Sequence, residues 1–228
     1  MVKPLAMASI LLFALNASSQ VNYTVKKQLL KDDFSSSLNN NWIIEKQPAD
    51  TEIVAIQHGK LLLDTYNGAT VWYKQELKGN VCIKLKRTVI VEGGKNDRLS
   101  DCNFFWMVTD PLQNNMFRRS GGFKEYDSLS MYYVGFGGNY NTTTRFRKYS
   151  AKGDKQLLAE FKDQLHLLDA NKEYQIEIIM KDGWVQFLVD GKLFFSYKDA
   201  ATLTHGYFAI RSTRSRQEID EVEIDEIE

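Results

Sequence analysis

Hydrophobic and polar residues alternate along most of the chain, in short runs separated by turn-forming pairs. A period of two places successive side chains on opposite faces of a β-strand, whereas an amphipathic helix needs apolar residues three to four positions apart. The runs with this pattern are residues 60–66, 70–77, 81–91, 102–110, 129–136, 144–149, 173–180, 184–190, 192–197, 206–212 and 222–228. The clearest case is WVQFLVDGKLFFSY, where two runs meet at Asp190 and Gly191, a pair that suits a tight hairpin turn.

Many short strands with regular turns predict an all-β sandwich or barrel. Only residues 155–168, KQLLAEFKDQLHLL, could be partly helical, and we interpret them as a loop with one or two turns. No internal repeat, low-complexity tract or Pro-rich linker divides the chain, so residues 20–228 are predicted to form a single domain.

Residues 1–19 have the features of a secretory signal peptide. Lys3 precedes an apolar run, and small residues at positions 17 and 19 suit cleavage before Gln20. The apolar run is shorter than the roughly 20 residues that span a bilayer. We therefore expect a protein that is secreted or periplasmic, without membrane insertion.

The charge balance limits which ligands the chain could attract, and the cysteine count limits its disulfides. The 29 Lys and Arg residues balance 29 Asp and Glu residues, so the chain has no general attraction for nucleic acid and must recognise any charged ligand locally. The two cysteines, Cys82 and Cys102, are predicted to be buried free thiols, and the alternative is a single disulfide between them. We expect a monomer that binds no nucleic acid.

Strand parity sorts the side chains of two central runs. In DCNFFWMVTD the even positions are all apolar and are predicted to face the core between the sheets: Cys102, Phe104, Trp106 and Val108. In TTRFRKY, Phe146 shares a face with Thr144 and Lys148. The opposite face carries Thr143, Arg145, Arg147 and Tyr149.

A sheet face with two arginines and a tyrosine can bind a sugar. Guanidinium groups donate paired hydrogen bonds to a carboxylate or to neighbouring hydroxyls, and an aromatic ring offers an apolar surface to C–H groups. The alternative is a solvated face whose arginines pair with acids on adjacent strands. Other polar and aromatic residues gather at strand ends and in Gly-rich connections, where binding sites form on β scaffolds. The predicted substrate-binding residues are Trp72, Lys74, Asp97, Arg98, Asn103, Asn139 and Asn141.

The segments NDRLSDCNFFWMVTDP, YDSLSMYYVGFGGNYNTTTRFRKY and FLVDGKLFFSYKD resemble a known family. It is the secreted, largely uncharacterised bacterial domain family of the concanavalin A-like lectin/glucanase superfamily, found mainly in Bacteroidetes and often beside plant-polysaccharide degradation genes. The resemblance covers essentially the whole mature chain. It implies a two-sheet antiparallel β-sandwich, a jelly roll, whose concave sheet and rim loops bind carbohydrate.

The superfamily contains hydrolases, lyases and lectins, so the fold does not select an activity. Its retaining glucanases carry an E-x-D-x-x-E pattern on one strand, but we interpret the acidic end DEVEIDEIE as a solvated strand edge with Val222 and Ile224 inward. A hydrolase with two carboxylates would then use acids such as Asp97, Asp101 or Asp110.

A polysaccharide lyase needs a group that neutralises the uronate carboxylate, a base and an acid. Lyase chemistry on an acidic polysaccharide is the leading hypothesis, slightly ahead of hydrolysis. A non-catalytic carbohydrate-binding protein is the alternative, and an adhesion module with a protein ligand is a third. The candidate catalytic residues are Arg145, Arg147, Tyr149, Tyr133, Asp101 and His166.

No cofactor is expected. A structural Ca²⁺ is a secondary possibility, since members of the superfamily often hold one where the chain ends meet. Asp32, Asp33 and Asp220 could supply oxygen ligands, but they do not form a spaced ligand loop. We therefore predict no metal among the site residues.

Overall fold

The structure, a computed structural model, describes residues 19–49 and 52–228. The predicted signal peptide therefore lies almost entirely outside the described residues. Every run predicted to be a strand contains one. The strands are β1 Val25–Asp32, β2 Trp42–Lys46, β3 Ile53–Gln57, β4 Lys60–Thr65, β5 Ala69–Tyr73, β6 Leu77–Lys78, β7 Val81–Ile90, β8 Cys102–Thr109, β9 Ser130–Gly137, β10 Thr143–Ser150, β11 Lys155–Phe161, β12 Glu173–Lys181, β13 Trp184–Val189, β14 Lys192–Lys198, β15 His205–Ser212 and β16 Ser215–Ile227.

The strands form two antiparallel sheets that pack face to face as a jelly-roll sandwich, as predicted. The front sheet has the order β11-β10-β9-β8-β15-β5-β2, with β6 paired to β15. The back sheet has the order β14-β13-β12-β7-β16-β4-β3, with β1 also paired to β16. Within the described ranges, no helix is long and apolar enough to cross a membrane.

The hairpin predicted between β13 and β14 is confirmed. Asp190 and Gly191 have φ values of 51° and 71°, and Val189 pairs with Lys192 across the turn. Positive φ at both central residues gives the turn a twist that matches the flanking strands.

Residues 155–168 differ from the prediction of a loop with one or two turns. Lys155–Phe161 forms the edge strand β11, which pairs antiparallel with β10. Only Gln164–His166 forms a short 3-10 turn. The pairing with β10 decides the conformation, because the strand gains a ladder of backbone hydrogen bonds that its own sequence does not signal.

The main hydrophobic core fills the space between the sheets. Cys102, Phe104 and Trp106 face this core, as strand parity predicts, but Val108 does not. Met107 has a φ of 51° and forms a β-bulge that directs its own side chain into the core and Val108 to the outer face. The prediction for Val108 was therefore wrong, because one extra residue reverses the parity after it.

Both cysteines are free and buried. Cys102 lies in the core between the sheets, whereas Cys82 packs on the outer side of the back sheet with Ile179, Leu188 and Ile227. The two thiols face different clusters, so the disulfide left open by the sequence is not formed.

Candidate functional site

A polar row crosses the outer face of the front sheet from edge to edge. Strand pairing aligns one residue from each of seven strands in this row. The polar row consists of Glu45, Thr70, Arg211, Asn103, Gly135, Arg145 and Glu160. Because side chains at paired positions point to the same face, the row brings together residues from distant parts of the sequence.

The connection from β8 to β9 covers one half of this face. Its residues Met116, Tyr126 and Leu129 are buried in a second hydrophobic cluster against Trp72 and Phe105. We call residues 110–129 the covering segment. It shields the part of the face formed by β2, β5 and β15, and its Phe123 also packs on Tyr133 of β9. The open half of the face is therefore its β10 side, where Arg145 and Arg147 are half-buried.

Glu45 anchors the covering segment to the sheet. Its buried carboxylate accepts hydrogen bonds from Trp72 Nε1 at 2.8 Å, Tyr126 Oη at 2.9 Å and the backbone nitrogen of Arg119 at 2.6 Å. Arg119 also pairs with Asp110 at the start of the segment. Trp72 is fully buried by these contacts, so the predicted substrate-binding role conflicts with its position.

Tyr133 and Asn103 lie buried beside the open half, at 6% and 3% exposure. The Tyr133 hydroxyl donates a hydrogen bond to Asn103 Oδ1 at 2.8 Å. Burial is the main cause that raises the pKa of Tyr133, with Tyr149 and Asp101 acting in the same direction and Arg147 against it. The phenol therefore stays protonated at neutral pH and acts as a hydrogen-bond donor.

Strand β10 presents Arg145, Arg147 and Tyr149 to this face, as parity predicts. Arg145 Nε pairs with the carboxylate of Glu160 on β11. The guanidinium carbon of Arg147 lies 5.9 Å from the centre of the Tyr133 ring. Across residues 19–49 and 52–228, no carboxylate forms an ion pair with Arg147.

Tyr149 is only 1% exposed, and Lys155 Nζ lies 5.5 Å from its ring centre. Burial raises the pKa of its hydroxyl to about 12. This position argues against the predicted catalytic contact with substrate, because the phenol is covered and holds its proton.

Arg211 is a functional candidate that was absent from the sequence-based set. It is 2% exposed, donates from Nη2 to Gly121 O at 3.2 Å, and has a buried Nε without a hydrogen-bond partner. Its guanidinium lies 4.8 Å from the centre of the Phe123 ring, and no ion pair joins it to a carboxylate of the described part of the chain. Strand parity applied to GYFAIRS would have placed Arg211 on the outer face with Ala209.

The middle of the polar row, at Asn103, lies next to the strand connections at the rim. Asp101 has a φ of 63° and pairs with Arg98, which also donates to Thr213 O at 2.7 Å. Asp101 is close enough to contribute to the raised pKa of Tyr133. The predicted residues Asp101, Arg98 and Asn103 are therefore brought together with Tyr133.

The predicted asparagines lie in the turn between β9 and β10. Asn141 donates to Leu168 O and accepts from Leu168 N, both at 2.8 Å, which gives it a structural role in holding the turn. Asn139 is exposed, and its side-chain amide lies 3.5 Å from Thr143 Oγ1.

Three predicted site residues lie away from this face: His166, Lys74 and Asp97. His166 stacks on Phe161 with ring centres 3.7 Å apart and contacts Asp163 at 2.7 Å. Lys74 follows β5 at the end opposite to Arg211 and contacts Asn39 O.

Asp97 is held by structural contacts on the other side of the rim. It accepts hydrogen bonds from the backbone nitrogens of Glu92 and Gly94, at 2.6 and 2.9 Å, and pairs with Arg216 at 2.9 Å. Backbone donors and Arg216 lower the pKa of its carboxyl despite the opposing effect of burial. Asp110 is likewise committed to Arg119, so neither acid suits hydrolysis.

The E-x-D-x-x-E spacing of retaining glucanases occurs at residues 218–223, within β16, and again at residues 223–228, which extend one residue beyond it. These acids lie in the back sheet, where Glu218 is 3.6 Å from Lys60 Nζ and Glu223 is 2.8 Å from Lys31 Nζ. Lysine pairing of this kind is typical of a solvated face. Val222 and Ile224 point into the core, as predicted.

The positions of the acidic side chains do not favour a metal site. Asp32 accepts hydrogen bonds from Trp42 Nε1 at 2.8 Å and from Asn41 at 2.9 Å. Within the ranges that the structure describes, His, Cys, Asp and Glu side chains form no group of three that could hold an ion. The proposed calcium ligands Asp33 and Asp220 do not join Asp32 in such a group.

Comparison with solved structures supports the fold. A protein of unknown function with a galectin-like fold from Bacillus subtilis has 15% identity and a TM-score of 0.73, with coverage of 90% of this chain and 99% of that chain. The carbohydrate-binding module CBM66 from Bacillus subtilis has 11% identity and a TM-score of 0.58, with coverage of 82% and 96%. The endo-β-1,3-glucanase from Pyrococcus furiosus has 9% identity and a TM-score of 0.62, with coverage of 90% and 95%.

These similarities show the concanavalin A-like fold that the sequence resemblance implies. Curated proteins include no significant sequence match to the chain. A family model described as "Domain of unknown function (DUF6250)" matches residues 63–222, and the chain therefore belongs to this family.

Proposed function

We propose that the protein binds an acidic polysaccharide on the open half of the front-sheet face. The observation that carries the proposal is the excess of arginine: Arg147 and Arg211 share the face without a carboxylate partner among the described residues. A cation in a partly buried site is stabilised by a nearby anion, because the local dielectric constant is lower than that of water. The carboxylate of a uronic acid would supply that anion.

The two arginines would act differently. Arg147 is half-buried and can donate directly to a carboxylate or to vicinal hydroxyls. Arg211 lies beneath Gly121 and Phe123, so it contributes through its charge. The partly exposed Arg98–Asp101 pair adds hydrogen-bonding groups at the rim, while the buried Tyr133 and Asn103 are bonded to each other. The carbohydrate-binding module and the glucanase among the solved structures make a glycan a reasonable ligand for this fold.

Binding is favoured over hydrolysis because the acids that the structure describes on this face are far apart or already paired. Asp101 is near Asn103, whereas Glu160 lies three strands away in the polar row. Adjacent strands are roughly 4.8 Å apart, so the two backbones are separated by about 14 Å. Glycoside hydrolysis needs carboxyl groups about 5 to 10 Å apart. Glu160 is also paired with Arg145 and Lys162.

Lyase activity is the second candidate, and Arg147 favours it because its guanidinium could neutralise the uronate carboxylate. The phenol of Tyr133 is the candidate acid for the leaving oxygen, but it is 6% exposed and already donates to Asn103. The role of base lacks an obvious residue, since His166 stacks on Phe161 and Tyr149 is covered. Binding without turnover therefore ranks ahead of lyase chemistry.

Affinity electrophoresis of residues 20–228 with polygalacturonate, alginate and neutral laminarin tests this proposal. We expect retardation by an acidic polymer that weakens as salt increases, and little retardation by laminarin. A rise in ultraviolet absorbance from an unsaturated product would favour the lyase, and new reducing ends without that absorbance would favour a hydrolase. Absence of binding to both acidic polymers would contradict the proposal.

A further inference from the structure

Two exposed tyrosines stand at the rim of the front sheet, each against an arginine. Tyr140 is 69% exposed, and the guanidinium of Arg98 lies 4.9 Å from its ring centre. Tyr66 is 45% exposed, and the guanidinium of Arg214 lies 5.1 Å from its ring centre. An aromatic ring held against a cation on one side and open on the other offers an apolar surface on which a ligand can stack.

The two stacks belong to one continuous strip. Arg98 Nε donates a hydrogen bond to Arg214 O at 2.8 Å, which joins the two arginines directly. The same guanidinium pairs with Asp101 beside the polar row. The strip of Tyr66, Arg214, Arg98 and Tyr140, which we call the rim strip, therefore borders the candidate site at Asp101.

The backbone at Tyr140 is held in a conformation that does not favour tyrosine. Asn139, Tyr140 and Asn141 have φ values of 52°, 59° and 58°, in the left-handed region. This region is unfavourable for a non-glycine residue, and asparagine tolerates it better than an aromatic residue does. The turn is fixed by the two hydrogen bonds between Asn141 and Leu168 and by Thr142 N donating to Gly138 O at 3.0 Å.

We propose that the rim strip is a second glycan subsite, in which Tyr140 and Tyr66 stack on sugar rings beyond the one bound at Arg147. Each arginine contacts its tyrosine ring, and the rest of the ring stays open to the C–H surface of a sugar. A strained turn that presents an exposed ring is typical of a functional position. This inference rests on the proposed function and extends it from one sugar to a longer chain.

The variants Tyr140→Asn and Tyr66→Ser test the strip. Asparagine suits the left-handed backbone at position 140, so Tyr140→Asn removes the ring without straining the turn. With the acidic polysaccharide that the wild type binds, polygalacturonate or alginate, we expect each variant to bind about 3- to 10-fold more weakly in isothermal titration calorimetry. Tyr140→Phe should bind like the wild type, because it keeps the ring.

Trp184→Ser is the matched control. Trp184 is 36% exposed on the back sheet, with Lys198 Nζ 5.3 Å from its ring centre, so it is an exposed aromatic residue beside a cation far from the rim. The Trp184→Ser variant should bind the acidic polysaccharide as tightly as the wild type does. The unfolding midpoints of the rim variants should stay close to the wild-type value.

The outcomes separate this inference from the proposed function. If Tyr140→Asn and Tyr66→Ser bind like the wild type while Arg147→Ala binds weakly, the rim strip is not a subsite and the proposed function stands. If Trp184→Ser loses as much affinity as the rim variants, the effect is not specific to the rim and the inference fails. If the wild type binds neither acidic polymer, the proposed function and this inference both fail.

Discussion

The hydroxyl of Tyr133 donates a hydrogen bond to Oδ1 of Asn103 at 2.8 Å and lies over Gly135, which stands between Asn103 and Arg145 in the polar row. A Cβ atom at position 135 would clash with this hydroxyl and lie 3.2 Å from Asn103 Oδ1. Glycine at this position is therefore what permits the phenol to reach its acceptor.

Gly135→Ala should displace Tyr133 and destabilise the protein by about 1–3 kcal/mol, the usual cost of an added methyl group in a packed site. Urea unfolding measures the loss. Gly138→Ala is the matched control: its Cβ would lie 3.6 Å from the nearest atoms, so its unfolding midpoint should barely change. Equal midpoints for the two variants would contradict the packing argument.

Glu45→Ala should loosen the covering segment. The change leaves the buried donors Trp72 Nε1 and Tyr126 Oη without their acceptor, and each such loss costs about 1–3 kcal/mol. We expect faster cleavage within residues 110–129 in limited proteolysis and a lower unfolding midpoint. Glu218→Ala, at a half-buried, lysine-paired position on the back sheet, should leave both unchanged. Unaltered proteolysis of Glu45→Ala would show that the segment is held by its apolar contacts alone.

Alkaline pH should weaken the fold partly through Tyr149. Burial raises the pKa of this hydroxyl from 10.0 to about 12, so the folded state holds the proton more tightly than the unfolded state does. The resulting stability is fully present below about pH 10 and is lost as the pH rises towards 12. Chemical unfolding at several pH values should show a shallower decline for Tyr149→Phe than for the wild type. Identical slopes would contradict the assignment.

The sequence pattern predicts the architecture well because strand parity is a local property. Alternation in β10 placed Arg145 and Arg147 on one face, and that face is formed as expected. The prediction fails where one residue breaks the alternation, as at the bulge of Met107. Gly206 on β15 accommodates this bulge, since a Cβ there would lie 2.5 Å from Val108 N, and that contact joins residues nearly 100 positions apart.

The site was predicted less completely, because its contacts are long-range. The burial of Trp72 depends on Glu45 and on Tyr126, which is more than 50 residues further along the chain. His166 fits an acid-base role by residue type alone, but β11 carries Phe161 to a position where the two rings stack. Arg211 was missed although parity was sufficient to place it on the face.

The central claim is that Arg147 meets an anionic sugar on the front sheet. Isothermal titration calorimetry of Arg147→Ala against the acidic polysaccharide that the wild type binds tests it most directly, with Arg118→Ala as the control. Arg118 is an exposed arginine of the covering segment, 3.8 Å from Asp110. We predict roughly 10-fold or greater weakening for Arg147→Ala, as expected for a charged hydrogen bond worth about 1.5–3 kcal/mol, and no change for Arg118→Ala. Wild-type affinity in a folded Arg147→Ala protein would contradict the claim.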